Sequence, residues 1–301
     1  AHPLFGDWDP VRAQVMSGER YPLWELDLPA DAVTQPIEFK FGLWDEQLGR
    51  LVHFEGGANR RLDGPGPTAD VTVWNCEHFE YGTLWRGAGV AIPVFSLRTR
   101  HGYGIGEFAD LGPFAEWASE CHLHMVQLLP VNDTSSDFTW RDSYPYKAIS
   151  TAALHPVYLN IERIYRDYGV PVPADYARRR AALNQLPQVD YEAVIRDKLQ
   201  YLRDLFQLLD KDGWETKEFL DYMTKQADWL QPYAAFCRLR DLHQTADFSR
   251  WGEYAAYSAA KIQAWFGTGA PEYTEVMFHC WVQFHADHQL EDALAIGHAR
   301  G

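Results

Sequence analysis

The chain has 301 residues, 47% hydrophobic and 23% charged, which is the composition of a folded protein with room for two domains or one large α/β domain with an appendage. A formal net charge of −15 argues against a nucleic-acid binder, since tracking phosphates requires a basic stripe. The sequence shows neither an apolar run of about eighteen residues nor a signal-peptide pattern, so no membrane partner is expected.

The first 62 residues read as short strands: "YPLWELDL" (21–28), "IEFKFGLWD" (37–45) and "GRLVHFE" (49–55). Ile37, Phe39, Phe41 and Leu43 alternate with Glu38 and Lys40, which is the period of a half-buried strand. Turns are expected at "DEQLG" and "EGGANR", so this part is an all-β module, with strands expected to be missing upstream. "LDGPGPTAD" (62–70) is a Pro/Gly linker, and "VTVWNCEHF" (71–79) is one more strand-like piece.

From about residue 85 the pattern changes. "GVAIPVFSLR" (89–98) and "HMVQLLPV" (124–131) read as buried strands around the amphipathic helix "FADLGPFAEWASEC" (108–121). Strand, helix and strand in that order make a βαβ unit of a parallel sheet. Beyond residue 155 the chain becomes helical. In 191–209 one face carries Tyr191, Val194, Ile195, Leu199, Leu202, Leu205, Phe206 and Leu209, with Asp190 as N-cap. Further helices are expected at about 215–228, 231–244, 253–266 and 272–299, and the second domain is expected to continue past "HARG".

Two motifs are weighed and set aside. "GYGIGEFADLG" (102–112) follows a strand and opens a helix, but Glu107 stands where the dinucleotide fingerprint needs glycine. It reads instead as a tight strand-to-helix turn. The histidines of "CHLH" (121–124) and "FHCWVQFHADHQ" (278–289) match no zinc spacing, so no metal is expected. Cys76, Cys121, Cys237 and Cys280 form no CxxC pair and read as buried free thiols of a reducing compartment.

"NDTSSDFTWRDSYPYKAIS" (132–150) follows the second parallel strand, at the end where α/β folds place their sites. Asp133, Asp137 and Asp142 can accept hydrogen bonds from hydroxyls, and Tyr144 and Tyr146 offer rings for stacking. At 15% aromatic residues, with 12 Trp and 16 Tyr, the chain is well supplied with such faces, although most will be core.

Taken together, "IPVFSLRTRHGYGIGEFADLGPFAEWA", "QLLPVNDT", "DSYPYKAIS", "ALHPVYL", "WLQPYAAFCRLRD" and "FHCWVQFHADHQL" resemble the first part of glycoside hydrolase family 77, the 4-α-glucanotransferases or amylomaltases. "GDW", "YPLWELDLP", "IEFKF" and "FEGGANR" resemble a family-20 starch-binding module. That order, with Ser-Tyr-Pro-Tyr in place of Ser-Pro-Tyr, is the layout of the type-2, cytosolic disproportionating enzymes.

The resemblance implies a multi-domain chain. A partial starch-binding β-sandwich at 1–80 precedes the first part of a TIM barrel at 81–301, with a helical insertion at about 157–290. It implies transfer of α-1,4-glucan segments between maltooligosaccharides or onto a starch- or glycogen-like acceptor, without cofactor or metal, in the cytoplasm. Tyr146 matches the tyrosine that lies against the sugar at the cleavage subsite, with Ser143, Pro145 and Asp142 shaping its loop. Trp8, Lys40 and Asn59 match module residues that hold starch, Phe54 stands where a second stacking tryptophan is usual, and Trp24 matches a core tryptophan. The family cleaves with retention through an aspartate nucleophile and a glutamate acid/base. No residue of this chain matches either, so the chain alone is expected to lack activity. The rival reading is a non-catalytic α-glucan-binding protein.

Overall fold

The computed structural model describes residues 2–64, 73–76, 78, 79 and 87–299. The chain forms two compact units, divided between Arg86 and Gly87.

Among its described residues the N-terminal unit has two small antiparallel ladders. β1 (Ile37–Phe39) pairs with β4 (Arg60–Leu62), and β2 (Gly42–Asp45) pairs with β3 (Arg50–Phe54) through a bulge. The expected single strand over 37–45 is therefore broken at Lys40 and Phe41. The physical cause is Glu55, whose carboxylate accepts the Phe41 N–H (2.9 Å) and turns the chain from one partner to the other. Alternation holds at Ile37, which is buried, and fades by Leu43, which is exposed. The expected strand over 21–28 does not form. Only Glu25 bridges, to Ser17, because proline at 22 offers no N–H to a ladder. Trp24, read as core, is 58% exposed and lies against Gly18. The core is small: Val33, Ile37 and Leu62, flanked by Leu4, Phe5, Leu28 and Phe39. Residues 65–72 and 77 lie outside the described residues, so most of the linker and part of the last expected strand do too. Residues 73–76, 78 and 79 carry no strand.

The C-terminal unit opens with the anticipated βαβ. β5 (Gly89–Ile92) and β6 (Met125–Leu128) pair in parallel around α1 (Leu111–Glu120). Both strands were expected to be buried, yet residues of each alternate between exposed and half-buried, and Met125 is 52% exposed. A pair of parallel strands has cover here on one face only, whereas a buried parallel sheet needs both.

The helical part comprises α2 (Ile161–Asp167), α3 (Tyr176–Asn184), α4 (Tyr191–Leu208), α5 (Lys211–Trp214), α6 (Lys217–Lys225), α7 (Ala227–His243), α8 (Ala259–Ala264) and α9 (Tyr273–His298). Asp190 caps α4 by accepting the Ala193 N–H at 3.0 Å, and the predicted face is buried except at Leu199 and Leu209, which are half-buried. α8 is shorter than expected, since residues 252–254 form a separate 3-10 turn. α9 is buried on all sides from Val276 to Ala286, which makes it the central rod against which α1, α4, α6 and α7 pack. All four cysteines are free. Cys237 and Cys280 are buried as expected, whereas Cys121 is exposed and Cys76 half-buried, because both sit outside the helical core.

The glycine-rich turn before α1 is a packing device. Gly104 has φ +78°, and a Cβ on Gly106 would sit 1.9 Å from the Val94 carbonyl oxygen. The turn ends at Glu107, where helix entry is fixed by the Asp110 carboxylate accepting the Glu107 N–H at 2.8 Å.

Candidate functional site

The loop after β6 is polar but tightly organised. Its base is pinned by Asp133, whose N–H donates to the Ala153 carbonyl and whose carbonyl accepts the Ile149 N–H, each at 2.8 Å. Its turn is built around Asp142, which has no solvent exposure. The Asp142 carboxylate accepts the N–H groups of Ser136 (2.8 Å), Asp137 (2.9 Å) and Phe138 (2.7 Å) and the Ser136 hydroxyl (2.7 Å). The Asp142 carbonyl accepts the Thr134 hydroxyl. Asp133 is also buried and accepts the Tyr233 hydroxyl at 2.6 Å. Asp137 accepts both N–H and O–H of Thr139, and the hydroxyl contact holds its pKa below the usual carboxylate value.

This loop forms one wall of a cavity of about 660 Å³. Asn132, Thr134, Trp140, Asp142, Ser143 and Pro145 line it from the loop. Phe95, Ser96, Arg98 and Ile105 line it from the segment after β5, and Gln188 to Glu192 from the start of α4. Trp140 is 68% exposed along one edge, and its backbone N–H donates to the Glu192 carboxylate (3.0 Å), tying the loop to α4. The Ser143 hydroxyl donates to the Trp140 carbonyl at 2.6 Å. Tyr146 does not line the cavity. It stands exposed beyond Pro145, with Tyr144 beside it.

In the N-terminal unit, Trp8, Lys40 and Phe54 line one small cleft together with His2, Phe5, Glu38 and Phe39. Asn59 is not in the wall, but its amide donates to Glu38 at 3.2 Å. The Lys40 ammonium donates to the carbonyls of Glu55 (3.2 Å) and Gly57 (2.8 Å), which holds it beside the exposed faces of Trp8 and Phe54.

The family model for 4-alpha-glucanotransferase, glycoside hydrolase family 77, matches residues 92–301. The chain belongs to this family. It is 33% identical, over 98% of its own length and 31% of the relative's, to the 4-alpha-glucanotransferase DPE2 of Oryza sativa subsp. japonica. It is 31% identical, over 67% of its length and 39% of the relative's, to the 4-alpha-glucanotransferase of Chlamydia muridarum. The chain thus spans less than two-fifths of these relatives. Among solved structures, an amylomaltase from Streptococcus agalactiae in complex with acarbose superposes with TM-score 0.58 at 19% identity, over 72% of this chain and 42% of that one. The amylomaltase of Corynebacterium glutamicum superposes with TM-score 0.53 at 20% identity, over 71% and 29%. The chain therefore shares part of the amylomaltase fold.

Within the C-terminal unit, the cavity wall is held from behind by groups that sequence reasoning missed. The segment 154–160 supplies His155, Val157 and Tyr158 to the cavity. Its first residues bridge back to the chain just past β6, Leu154 to Asn132 and the His155 N–H to the Val131 carbonyl (2.9 Å), and two glutamines of α9 hold the backbone on the other side. Gln283 accepts the Leu154 N–H and donates to the Leu154 carbonyl, both at 2.8 Å. Gln289 makes the same pair of bonds with Asn160, at 2.8 and 3.1 Å. Lys198 of α4, fully buried, donates to Glu107 (2.5 Å) and to the carbonyls of Val157 (2.7 Å) and Leu159 (2.8 Å). Burial pushes the Glu107 pKa up and the Lys198 pKa down, and each charge opposes the other's shift.

His155 Nδ1 accepts the Val157 N–H (3.2 Å), so Nε2 carries the proton and donates to the Tyr191 hydroxyl at 2.9 Å. Burial lowers the His155 pKa, against the pull of Asp133 and Asp142, which favours this neutral tautomer. The α9 histidines are structural as well. His285 meets the Tyr168 hydroxyl at 3.2 Å, and His279 lies 3.4 Å from Asp241. Among the described residues no group of three His, Cys, Asp or Glu could hold a metal ion, and no helix is long and apolar enough to cross a membrane.

Proposed function

We propose that the protein is a 4-α-glucanotransferase that moves α-1,4-glucan segments between maltooligosaccharides, or onto a starch- or glycogen-like acceptor, with retention at the anomeric carbon. The observation that carries this reading is the match of the 4-alpha-glucanotransferase model to 92–301, the stretch that builds the 660 Å³ cavity beyond β6. Its wall offers hydroxyl, amide and carboxylate groups beside the open Trp140 ring, which suits a ligand with apolar ring faces and hydroxyl edges. Tyr146 is assigned to stacking on sugar at the edge of this site. Ser143 and Asp142 act by fixing the loop, since the Asp142 carboxylate is already occupied by loop donors.

A retaining mechanism needs two carboxyl groups about 5 Å apart. Asp133 and Asp142 are committed to structure, and we assign neither to bond cleavage. The N-terminal cleft of Trp8, Lys40 and Phe54 is proposed as a starch-binding site, with Glu38 and Asn59 as hydrogen-bonding partners for glucose hydroxyls. Four free thiols support a reducing, cytoplasmic setting.

Incubating the full-length protein with maltotriose tests the reading. Glucose together with longer oligosaccharides is expected, with no growth in reducing ends. Reducing-end growth would indicate a hydrolase, and unchanged sugar a non-catalytic binder. The 301-residue chain alone is expected to leave maltotriose unchanged. For the cleft, Trp8→Ala is expected to weaken β-cyclodextrin binding about tenfold or more in a titration of the chain; equal isotherms would refute the assignment.

A further inference from the structure

Tyr144 and Tyr146 are each 60% exposed, with ring centroids 5.5 Å apart and planes inclined at 52°. The arrangement is held by the backbone: the Lys147 N–H donates to the Tyr144 carbonyl (3.2 Å), closing a tight turn around Pro145. Ser143 and Pro145, the residues on either side of Tyr144, both belong to the cavity wall. The two adjacent rings are mostly exposed, and each keeps a polar hydroxyl tip beside an apolar face.

We infer that Tyr144 is a specificity-determining residue: its ring and that of Tyr146 form a two-ring platform that holds the glucosyl units of a chain as it leaves the cavity. The inference rests on the glucanotransferase reading and adds to it a preference for long chains. The occupant follows from chemistry and position. A glucan has an apolar face and hydroxyl edges on every ring, so one chain can fill the cavity and continue over the platform. An anionic polymer is disfavoured by the net charge of −15. Two inclined rings suit a chain that turns between successive units, and a flat apolar partner would prefer coplanar ones.

The test is calorimetric titration of the full 301-residue chain with maltotriose and with maltoheptaose. Trp8→Ala and Phe54→Ala form the background, to silence the N-terminal cleft. The parent is expected to bind maltoheptaose more tightly than maltotriose. Tyr144→Ala should weaken maltoheptaose about fivefold and leave maltotriose unchanged, while Tyr144→Phe keeps the parental preference because the ring face is retained. If the parent binds and Tyr144→Ala titrates identically with both sugars, the inference is wrong and the functional reading stands. If the parent binds neither sugar, both fall together. Tyr144 is exposed, so a near-ultraviolet spectrum matching the parent is expected for each variant.

Discussion

The carboxylate of Asp142 shows how one residue sets the shape of a loop. Three backbone N–H groups and one hydroxyl converge on it in a site without solvent. Asp142→Ala removes the acceptor of all four donors, so the three N–H groups that share one carboxylate oxygen lose their partner. The expected loss is about 2 kcal/mol or more, read as a lower urea midpoint together with faster protease cleavage between residues 134 and 146. An unchanged midpoint would mean that the loop is held elsewhere. The sequence suggested a ligand role for Asp133, Asp137 and Asp142 from residue type alone, and composition cannot tell a hydroxyl acceptor from a turn-former. What separates them is the partner: Asp137 and Asp142 take N–H and hydroxyl groups of their own loop, while Asp133 takes the Ser135 N–H and the distant Tyr233 hydroxyl. Trp140 was invisible for the opposite reason: its contact with Glu192 spans 52 residues, which no local pattern encodes.

At the scale of elements, the buried pair Lys198–Glu107 joins α4 to the turn that opens α1 and to the cavity-lining segment. Lys198→Met removes the cation and leaves Glu107 buried beside two unpaired carbonyls. A loss of about 3 to 5 kcal/mol is expected in urea unfolding. The double change Lys198→Met with Glu107→Gln is expected to recover part of it, and a double variant no more stable than the single one would refute the pairing account. Helices α4 and α9 were legible because α4 keeps a 3.6-residue apolar period and α9 is apolar along most of its length. The strands were less so. Val90, Ile92, Val126 and Leu128 looked fully buried in sequence, yet apolar runs do not say how many layers cover a sheet. Gln283 and Gln289 gave no signal at all, because a glutamine on a buried helix matters only through the distant backbone it pairs with.

Across the whole molecule, acid is expected to act through buried imidazoles. Burial lowers the pKa of His155 and His279, and pushes His285 down to about 3, with His288 and Arg163 adding to the effect. An unfolded imidazole titrates near 6.5, so between these values the unfolded chain binds a proton that the native chain refuses. Stability is therefore full above about pH 6.5 and falls as the pH drops, with His285 alone contributing a loss of about 2 kcal/mol by pH 5. Urea midpoints at pH 7.5 and pH 5 check this. His285→Gln is expected to flatten the dependence, whatever its effect on stability at neutral pH, and an equal slope in the variant would contradict the assignment.

α9 has one more consequence. Its 26 residues extend about 39 Å, with no proline and with glycine only at Gly297 near the end. The same rod packs against α1 of the βαβ unit and against α4, α6 and α7 of the helical part, and its glutamines grip the segment between them. A helix of that kind offers no hinge. The βαβ unit and the helical part are thereby splinted into one body, with the cavity-lining segment 154–160 clamped between them.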